Sequence, residues 1–120
     1  MTTYAALEKH RLVVSEATVG AGEVAFGSRA ALATWVGTHR SQITRIAAGQ
    51  QLGGEEGWRL SSLAAVVTAL LSIYEPDAIS GWMHGNNPHL NDRRPVDVLA
   101  AGDVAAVMAA VQAARTGAYA

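Results

Sequence analysis

The sequence contains no cysteine. It can therefore form neither a disulfide framework nor a thiolate metal site. It also has no run approaching the ~20 consecutive apolar residues of a membrane-spanning helix. Its first residues lack the apolar segment behind a basic start that is typical of a secretory signal. These absences predict a cytoplasmic protein.

Charge is scarce as well, since 16% of the residues are charged and the net charge is −1. A nearly neutral chain does not coat nucleic acid or anionic lipid through bulk electrostatics, although a local basic patch remains compatible with it. Half of the residues are apolar, so the composition typical of disorder is missing. The length of 120 residues predicts one compact domain, or two small helical subdomains that share a core.

Strand patterns are missing too, apart from a brief apolar run at residues 12–14. Apolar residues instead recur at helical spacing nearly throughout, so the predicted class is all-α. Four of the predicted helices cover residues 4–17, 29–36, 58–74 and 76–83. A further helix follows a cap at Thr38 or Ser41 and stops at Gly49. Two more complete the chain, one opened by Pro95 and one capped by Asp103 and closed by Gly117.

The glycine-rich stretch 49–57 is the best candidate for a boundary between two parts of the chain. We place a helix-turn-helix domain at 1–53 and a small helical domain at 54–120. The helix predicted at 58–74 is apolar around much of its circumference, which indicates a central position or a role in dimer or partner packing.

The segment 28–49 has the pattern of a DNA-binding helix-turn-helix, with Ser28 as the cap of its first helix and Gly37 as the break. In such a unit the second helix buries one face and presents polar and basic side chains to the major groove. Arginine suits guanine, glutamine suits adenine, and hydroxyls suit phosphate. The expected DNA-binding residues are Arg40, Ser41, Gln42, Thr44 and Arg45.

Charge supports this interpretation, because three arginines and no acidic residue lie between Glu23 and Glu55. That segment would be electropositive within a nearly neutral protein. An ordinary helical hairpin with solvated arginines has the same pattern and remains an alternative.

Residues 20–25 fit the G-x-G-x-x-A form of the dinucleotide-binding fingerprint. That fingerprint also needs an acidic residue about 20 positions further on, where this chain has Arg40 and Ser41. A glycine-rich turn between helices is the better interpretation. The histidines form no metal-binding pair on one helical face, and no nucleophile elbow is present. We therefore predict no enzyme activity, no metal site and no cofactor.

The most unusual stretch is 81–103, which is rich in asparagine and contains Trp82, two prolines and the pair Arg93 and Arg94. One interpretation is a rigid loop between helices, in which Asn86, Asn87, Asn91 and Asp92 tolerate left-handed turn conformations and the two prolines fix φ. Another is a binding surface, because tryptophan and arginine are enriched at protein interfaces.

This stretch, with the terminal alanine-rich helix and its glycine-aromatic tail, resembles the C-terminal toxin-binding domain of the Xre/MbcA/ParS antitoxins. The resemblance covers 58–120, follows a helix-turn-helix in the expected order, and departs at Asn91 and Asp92, where relatives carry glycines. The motif positions that would form the scaffold of the domain are Trp82, Pro88, Leu90, Pro95, Val98 and Leu99.

The resemblance implies an antitoxin of a type II pair whose partner is a RES-domain toxin that degrades NAD. Its C-terminal region would bind the toxin and occlude the NAD pocket. The assembly would contain a homodimer or a larger complex, and the helix-turn-helix would bind operator DNA and repress the operon. The toxin-binding residues carried over are Trp82, Arg93, Arg94, Arg115, Gly117 and Tyr119.

A transcriptional regulator with the same helix-turn-helix is the alternative. In that case the C-terminal half would dimerise or sense a small molecule.

Overall fold

A computed structural model of the protein describes residues 4–117, except for the side chains of residues 4 and 10–14. The described chain is helical and has no strand, which confirms the all-α class. Its elements are α1 (Tyr4–Phe26), α2 (Arg29–Val36), α3 (Arg40–Ala47), α4 (Gly54–Leu70), α5 (Pro76–His84), a 3-10 helix (Pro88–Leu90), α6 (Pro95–Ala100) and α7 (Val104–Arg115).

Helix α1 is longer than predicted. The expected end at Ala17 and the turn expected at residues 20–25 are both wrong, because Gly20 and Gly22 lie inside the helix. A glycine in a helix interior costs about 1 kcal/mol relative to alanine, but here Gly22 is buried against Leu32. A Cβ atom on Gly22 would lie 2.8 Å from a methyl group of Leu32, so any larger residue at this position would force the buried Leu32 side chain to shift.

Helix α2 begins and ends as predicted. The backbone N–H of Ala31 donates to the Ser28 hydroxyl at 3.1 Å, which is an N-cap bond. Gly37 ends the helix in a left-handed conformation, with φ 97°.

Helix α3 begins differently. The residue before it is His39, whose side chain makes no capping bond, so the caps predicted at Thr38 or Ser41 are wrong. Its end is as expected, because Gly49 has a φ of 108°. Helices α2 and α3 pack against each other and α3 also packs against α1, which gives a helical hairpin.

Helix α4 begins earlier and ends earlier than the predicted 58–74, since it covers Gly54–Leu70. Glu55 and Glu56 occupy its first turn, where carboxylates interact favourably with the positive end of the helix dipole. The helix packs against α1, α2, α6 and α7, so it is the central element of the fold. Its buried residues are Leu60, Leu63, Val66, Val67 and Leu70.

The C-terminal elements follow the sequence prediction closely. Pro76 opens α5 and Pro95 opens α6, as expected for a residue that lacks an N–H at a position where none is needed. The Asp103 carboxylate accepts from the N–H of Ala106 at 3.0 Å and caps α7. Gly117 follows α7 with a φ of 75°.

The buried apolar side chains form one cluster to which every α-helix contributes. The boundary proposed between residues 53 and 54 falls at the first residue of α4. Helix α1 packs against α4 and α5, and thus against elements beyond that boundary. Within 4–117, no helix combines the length and the apolar character needed to cross a membrane.

Candidate functional site

The exposed face of α3 brings together most of the residues predicted to contact DNA. Arg40, Ser41, Thr44 and Arg45 are exposed and, with His39, line a shallow groove. Gln42 is half-buried, and the opposite face of α3 carries the buried Ile43 and Ile46. The predicted division of α3 into an inner and an outer face is therefore confirmed.

Hydrogen bonds organise this face. The Arg45 guanidinium donates to the Gln42 side-chain oxygen at 3.1 Å. The Thr44 hydroxyl donates to the backbone oxygen of Arg40 at 3.3 Å and accepts from the Arg29 guanidinium at 3.2 Å. The polar side chains of α3 are thus held in position by their neighbours.

The positive charge of this face is smaller than the sequence indicates. Arg29 forms an ion pair with Glu23 at 2.8 Å, because α1 extends far enough to bring Glu23 next to α2. Neither Arg40 nor Arg45 forms an ion pair with another described residue. Of the three arginines counted in the sequence, only Arg40 and Arg45 therefore contribute positive charge that no described ion pair offsets.

In the C-terminal part, Trp82 lies half-buried on α5 and forms one wall of a recess of about 250 Å³. We call this depression the Trp82 recess. It opens to solvent and its lining residues are Tyr74, Gly81, Trp82, Gly85, Asn86, Asn87 and Pro88.

The loop between α5 and α6 is closed by hydrogen bonds to Asn87, which is buried. The N–H of Asn87 donates to the Arg93 oxygen at 3.1 Å, and its oxygen accepts from Leu90 and Asp92, both at 2.9 Å. Its side-chain oxygen accepts from the N–H of His89 at 2.9 Å. These bonds fix the loop and place Arg93 at its surface.

Asn91 and Asp92 adopt left-handed conformations in this loop, with φ values of 56° and 63°. The sequence predicts tolerance of this region at Asn86 and Asn87 as well, but those two residues do not adopt it. Asparagine and aspartate are the side chains that best tolerate this region after glycine. The departure from the glycines of the relatives is therefore compatible with the turn.

Arg93 and Arg94 are adjacent but differ in their surroundings. Arg93 donates from Nε to the Leu90 oxygen at 3.1 Å. Arg94 holds Asp97 through two bonds, from Nε at 2.8 Å and from Nη2 at 3.0 Å. This bonding lowers the pKa of the Asp97 carboxyl below its ordinary value and raises the pKa of Arg94.

The end of α7 lies against the turn after α4. The Arg115 guanidinium donates to the Ser72 hydroxyl at 3.0 Å, across 43 positions of sequence. Gly117 is exposed. Tyr119, the last predicted toxin-binding residue, lies outside the described residues.

A polar contact that the sequence does not predict joins the two parts of the chain. The indole N–H of Trp35 on α2 donates to the Val96 oxygen on α6 at 3.1 Å, across 61 positions. The Trp35 oxygen accepts from Arg59 at 3.2 Å, and Arg59 also donates to Glu55 at 3.1 Å. No local pattern predicts such a contact, although an i, i+4 Glu–Arg pair is visible in the sequence.

A protein-family model, that of the antitoxin Xre/MbcA/ParS C-terminal toxin-binding domain, matches residues 62–117. This part of the chain is an Xre/MbcA/ParS toxin-binding domain. The match includes most of α4 and everything from α5 to Gly117, so it covers the Trp82 recess and the three C-terminal arginines. It confirms the resemblance inferred from the sequence. No curated protein and no solved structure matches the chain.

A toxin-binding domain implies a toxin as partner, which supports an antitoxin role for this chain. The α2–α3 hairpin lies before the matched residues.

Proposed function

We propose that this chain is the antitoxin of a type II toxin-antitoxin pair and neutralises a RES-domain toxin that degrades NAD. The observation that carries the proposal is the match of residues 62–117 to a toxin-binding antitoxin domain. The resemblance of the motif around Trp82 to antitoxins with RES-domain partners supports the identity of the toxin. The chain acts by binding and not by catalysis.

The C-terminal arginines are suited to an electrostatic contact with the toxin. Arg93 donates only from Nε in the described contacts, and Arg115 is bonded to an uncharged hydroxyl. Arginine forks bind carboxylates with two parallel bonds, which gives both affinity and orientation. We assign these residues to the toxin interface, together with Trp82 and with Arg94, which would exchange Asp97 for a toxin carboxylate.

Inhibition is proposed to occur by occlusion of the NAD pocket. Gly117 takes a left-handed conformation just after Thr116, the C-cap of α7, so the chain leaves the helix axis there. The following residues include Tyr119, an aromatic side chain of the kind that anchors in apolar clefts. In this proposal Gly117 and Tyr119 cover the entrance to the NAD pocket.

Repression of its own operon is a second proposed role. Support comes from the exposed face of α3, where Arg40 and Arg45 have no ion-pair partner among the described residues. A homodimer or a larger toxin-antitoxin assembly would place two such helices on successive half-sites of a palindromic operator.

The test of occlusion is NAD hydrolysis by a purified cognate RES-domain toxin. The whole chain should protect NAD. A chain that ends at Gly117 keeps the buried Ala110 and Val111 of α7, so it should fold and bind the toxin, yet allow most of the hydrolysis to resume. Tyr119→Ala should show the same loss of protection.

Equal protection by the whole and shortened chains would contradict occlusion by the tail and assign inhibition to a broader face. Absence of protection by the whole chain would contradict the antitoxin role. It would favour a helix-turn-helix regulator whose C-terminal half dimerises or senses a ligand.

A further inference from the structure

We propose that the Trp82 recess is the site at which the toxin inserts one aromatic side chain. The inference rests on the proposed function in one respect, namely that the occupant belongs to the toxin. It adds an anchor point to an interface that is otherwise assigned to arginines and to the C-terminal tail.

The chemistry of the lining suits an aromatic side chain. Tyr74 and Trp82 are both half-buried, and the remaining lining residues are glycines, asparagines and Pro88. None of these side chains carries a charge at neutral pH. Aromatic pairs prefer offset or edge-to-face contacts, and an asparagine amide at the rim can bond the polar edge of a tyrosine or tryptophan.

The size of the recess favours a side chain over a free metabolite. Its volume of about 250 Å³ is below the ~300–1,000 Å³ of pockets that bind small molecules. Pockets of modest size that receive a single aromatic residue are typical of the energetic centre of protein interfaces.

Gly81 is a lining residue at which the fold does not require glycine. It lies inside α5, where glycine is unfavourable relative to alanine. It has no positive φ, and a Cβ atom built on it would meet no atom within 4 Å. Alanine would therefore fit the described chain and stabilise the helix, so neither packing nor backbone conformation requires glycine here.

What Gly81 provides is open space beside Trp82. Because it lines the recess and is exposed, any side chain at this position would narrow the entrance. Gly85 differs, since a Cβ atom there would lie 3.0 Å from the Gly81 oxygen. The close approach of that carbonyl restricts Gly85, whereas Gly81 is as unconstrained as Gly20 in α1 and differs from it in lining the recess.

The position of the recess agrees with a toxin contact. Every residue that lines it falls within the matched toxin-binding domain, residues 62–117. It also borders the loop of Arg93, because Asn87 is shared between the lining and the bond to the Arg93 oxygen. An aromatic anchor beside an arginine is a common combination at interface hot spots.

The experiment compares Gly81→Ala and Gly81→Met with the control Gly20→Ala. Gly20 is also exposed inside a helix with no atom within 4 Å of a built Cβ, but it lies in α1, outside the matched domain. Both alanine variants should raise the thermal midpoint by a few degrees, because they stabilise a helix without strain.

Affinity for the purified RES-domain toxin, measured by calorimetry, should separate the variants. We expect a decrease of roughly tenfold for Gly81→Ala and roughly a hundredfold for Gly81→Met, as for the filling of a central interface pocket. Gly20→Ala should bind as the wild type does. A variant that is more stable yet binds more weakly is not explained by a structural role.

Wild-type affinity in both Gly81 variants would overturn the inference and leave the antitoxin role intact. A wild-type chain that neither binds the toxin nor protects NAD would overturn the proposed function, and the inference with it.

Discussion

The α2–α3 hairpin and the C-terminal domain both present arginines to solvent, but the two regions differ in whether a carboxylate pairs with an arginine. On α3, Arg40 and Arg45 have no ion-pair partner within the described chain, so their field extends into solvent. In the C-terminal domain, Arg93 and Arg115 bond only uncharged groups among the described contacts, but Asp97 holds Arg94 with two bonds. The first arrangement suits a polyanion that is attracted over a distance. The second suits a protein partner that must compete for a specific geometry.

The largest expected effect concerns the connection between the two regions. Leu63 is fully buried on α4, which packs against elements of both. Leu63→Ala should reduce the free energy of unfolding by about 2–5 kcal/mol, through reduced burial and a residual cavity. Urea unfolding monitored by amide NMR signals should show the α2–α3 and α7 signals disappearing together. Ser61→Ala, at an exposed position of the same helix, should change the free energy of unfolding by less than about 0.5 kcal/mol.

Persistence of the α2–α3 signals after the α7 signals have disappeared would contradict this prediction. It would show that the boundary near residue 53 separates two domains that unfold independently.

A smaller effect is expected for the unpaired arginines of α3. Replacing Arg40 and Arg45 with alanine should weaken binding to a duplex from upstream of the gene by about 10- to 100-fold. The slope of log affinity against log salt should fall by about 1 for each arginine that no longer neutralises a phosphate. Protection of NAD should not change, because neither residue lies in the matched domain.

Arg94→Ala is the reciprocal control. It should leave the operator affinity and its salt slope unchanged while it weakens binding to the toxin. Equal weakening of DNA binding and of toxin binding by both sets of substitutions would contradict the assignment of these two activities to separate surfaces.

The smallest expected effect is the pH dependence of the Arg94–Asp97 pair. Because Arg94 lowers the pKa of Asp97 in the folded protein, the pair stabilises the fold above the unfolded-state pKa of about 3.9. That contribution disappears as the pH falls through the lower, folded pKa. The effect on stability is small, because both groups are solvent-exposed.

Carboxyl NMR titration measures this shift directly. Asp97 should titrate below its ordinary pKa in the wild type, and Arg94→Gln should raise that pKa toward the ordinary value. An ordinary pKa in the wild type would show that Arg94 is not held by Asp97 in solution and is as available as Arg40.

Local signals predicted much of the fold. Ser28, Asp103 and the glycines that end helices were identified because capping and left-handed conformations depend on a few neighbouring residues. Helix α1 was predicted wrongly, because the cost of its internal glycines is outweighed by the packing of Gly22 on Leu32. That contact is made between two helices and has no local signature.

The candidate sites show the same limit. Helical periodicity alone predicts the outer face of α3. The order of residues around Trp82 is enough to identify the family motif. The bond of Trp35 to Val96 joins residues 61 positions apart, so only the folded chain reveals it. The i, i+3 spacing of Arg94 and Asp97 at the start of α6 was a signal that sequence reasoning could have used.

The most direct test of the account is amide hydrogen exchange of this chain with and without the RES-domain toxin. We expect slower exchange on toxin binding across the loop from Gly85 to Arg94 and in α7. Exchange in α3 should be unaltered. Protection confined to α3, or no protection at any position, would contradict the assignment of the toxin-binding surface to the C-terminal domain.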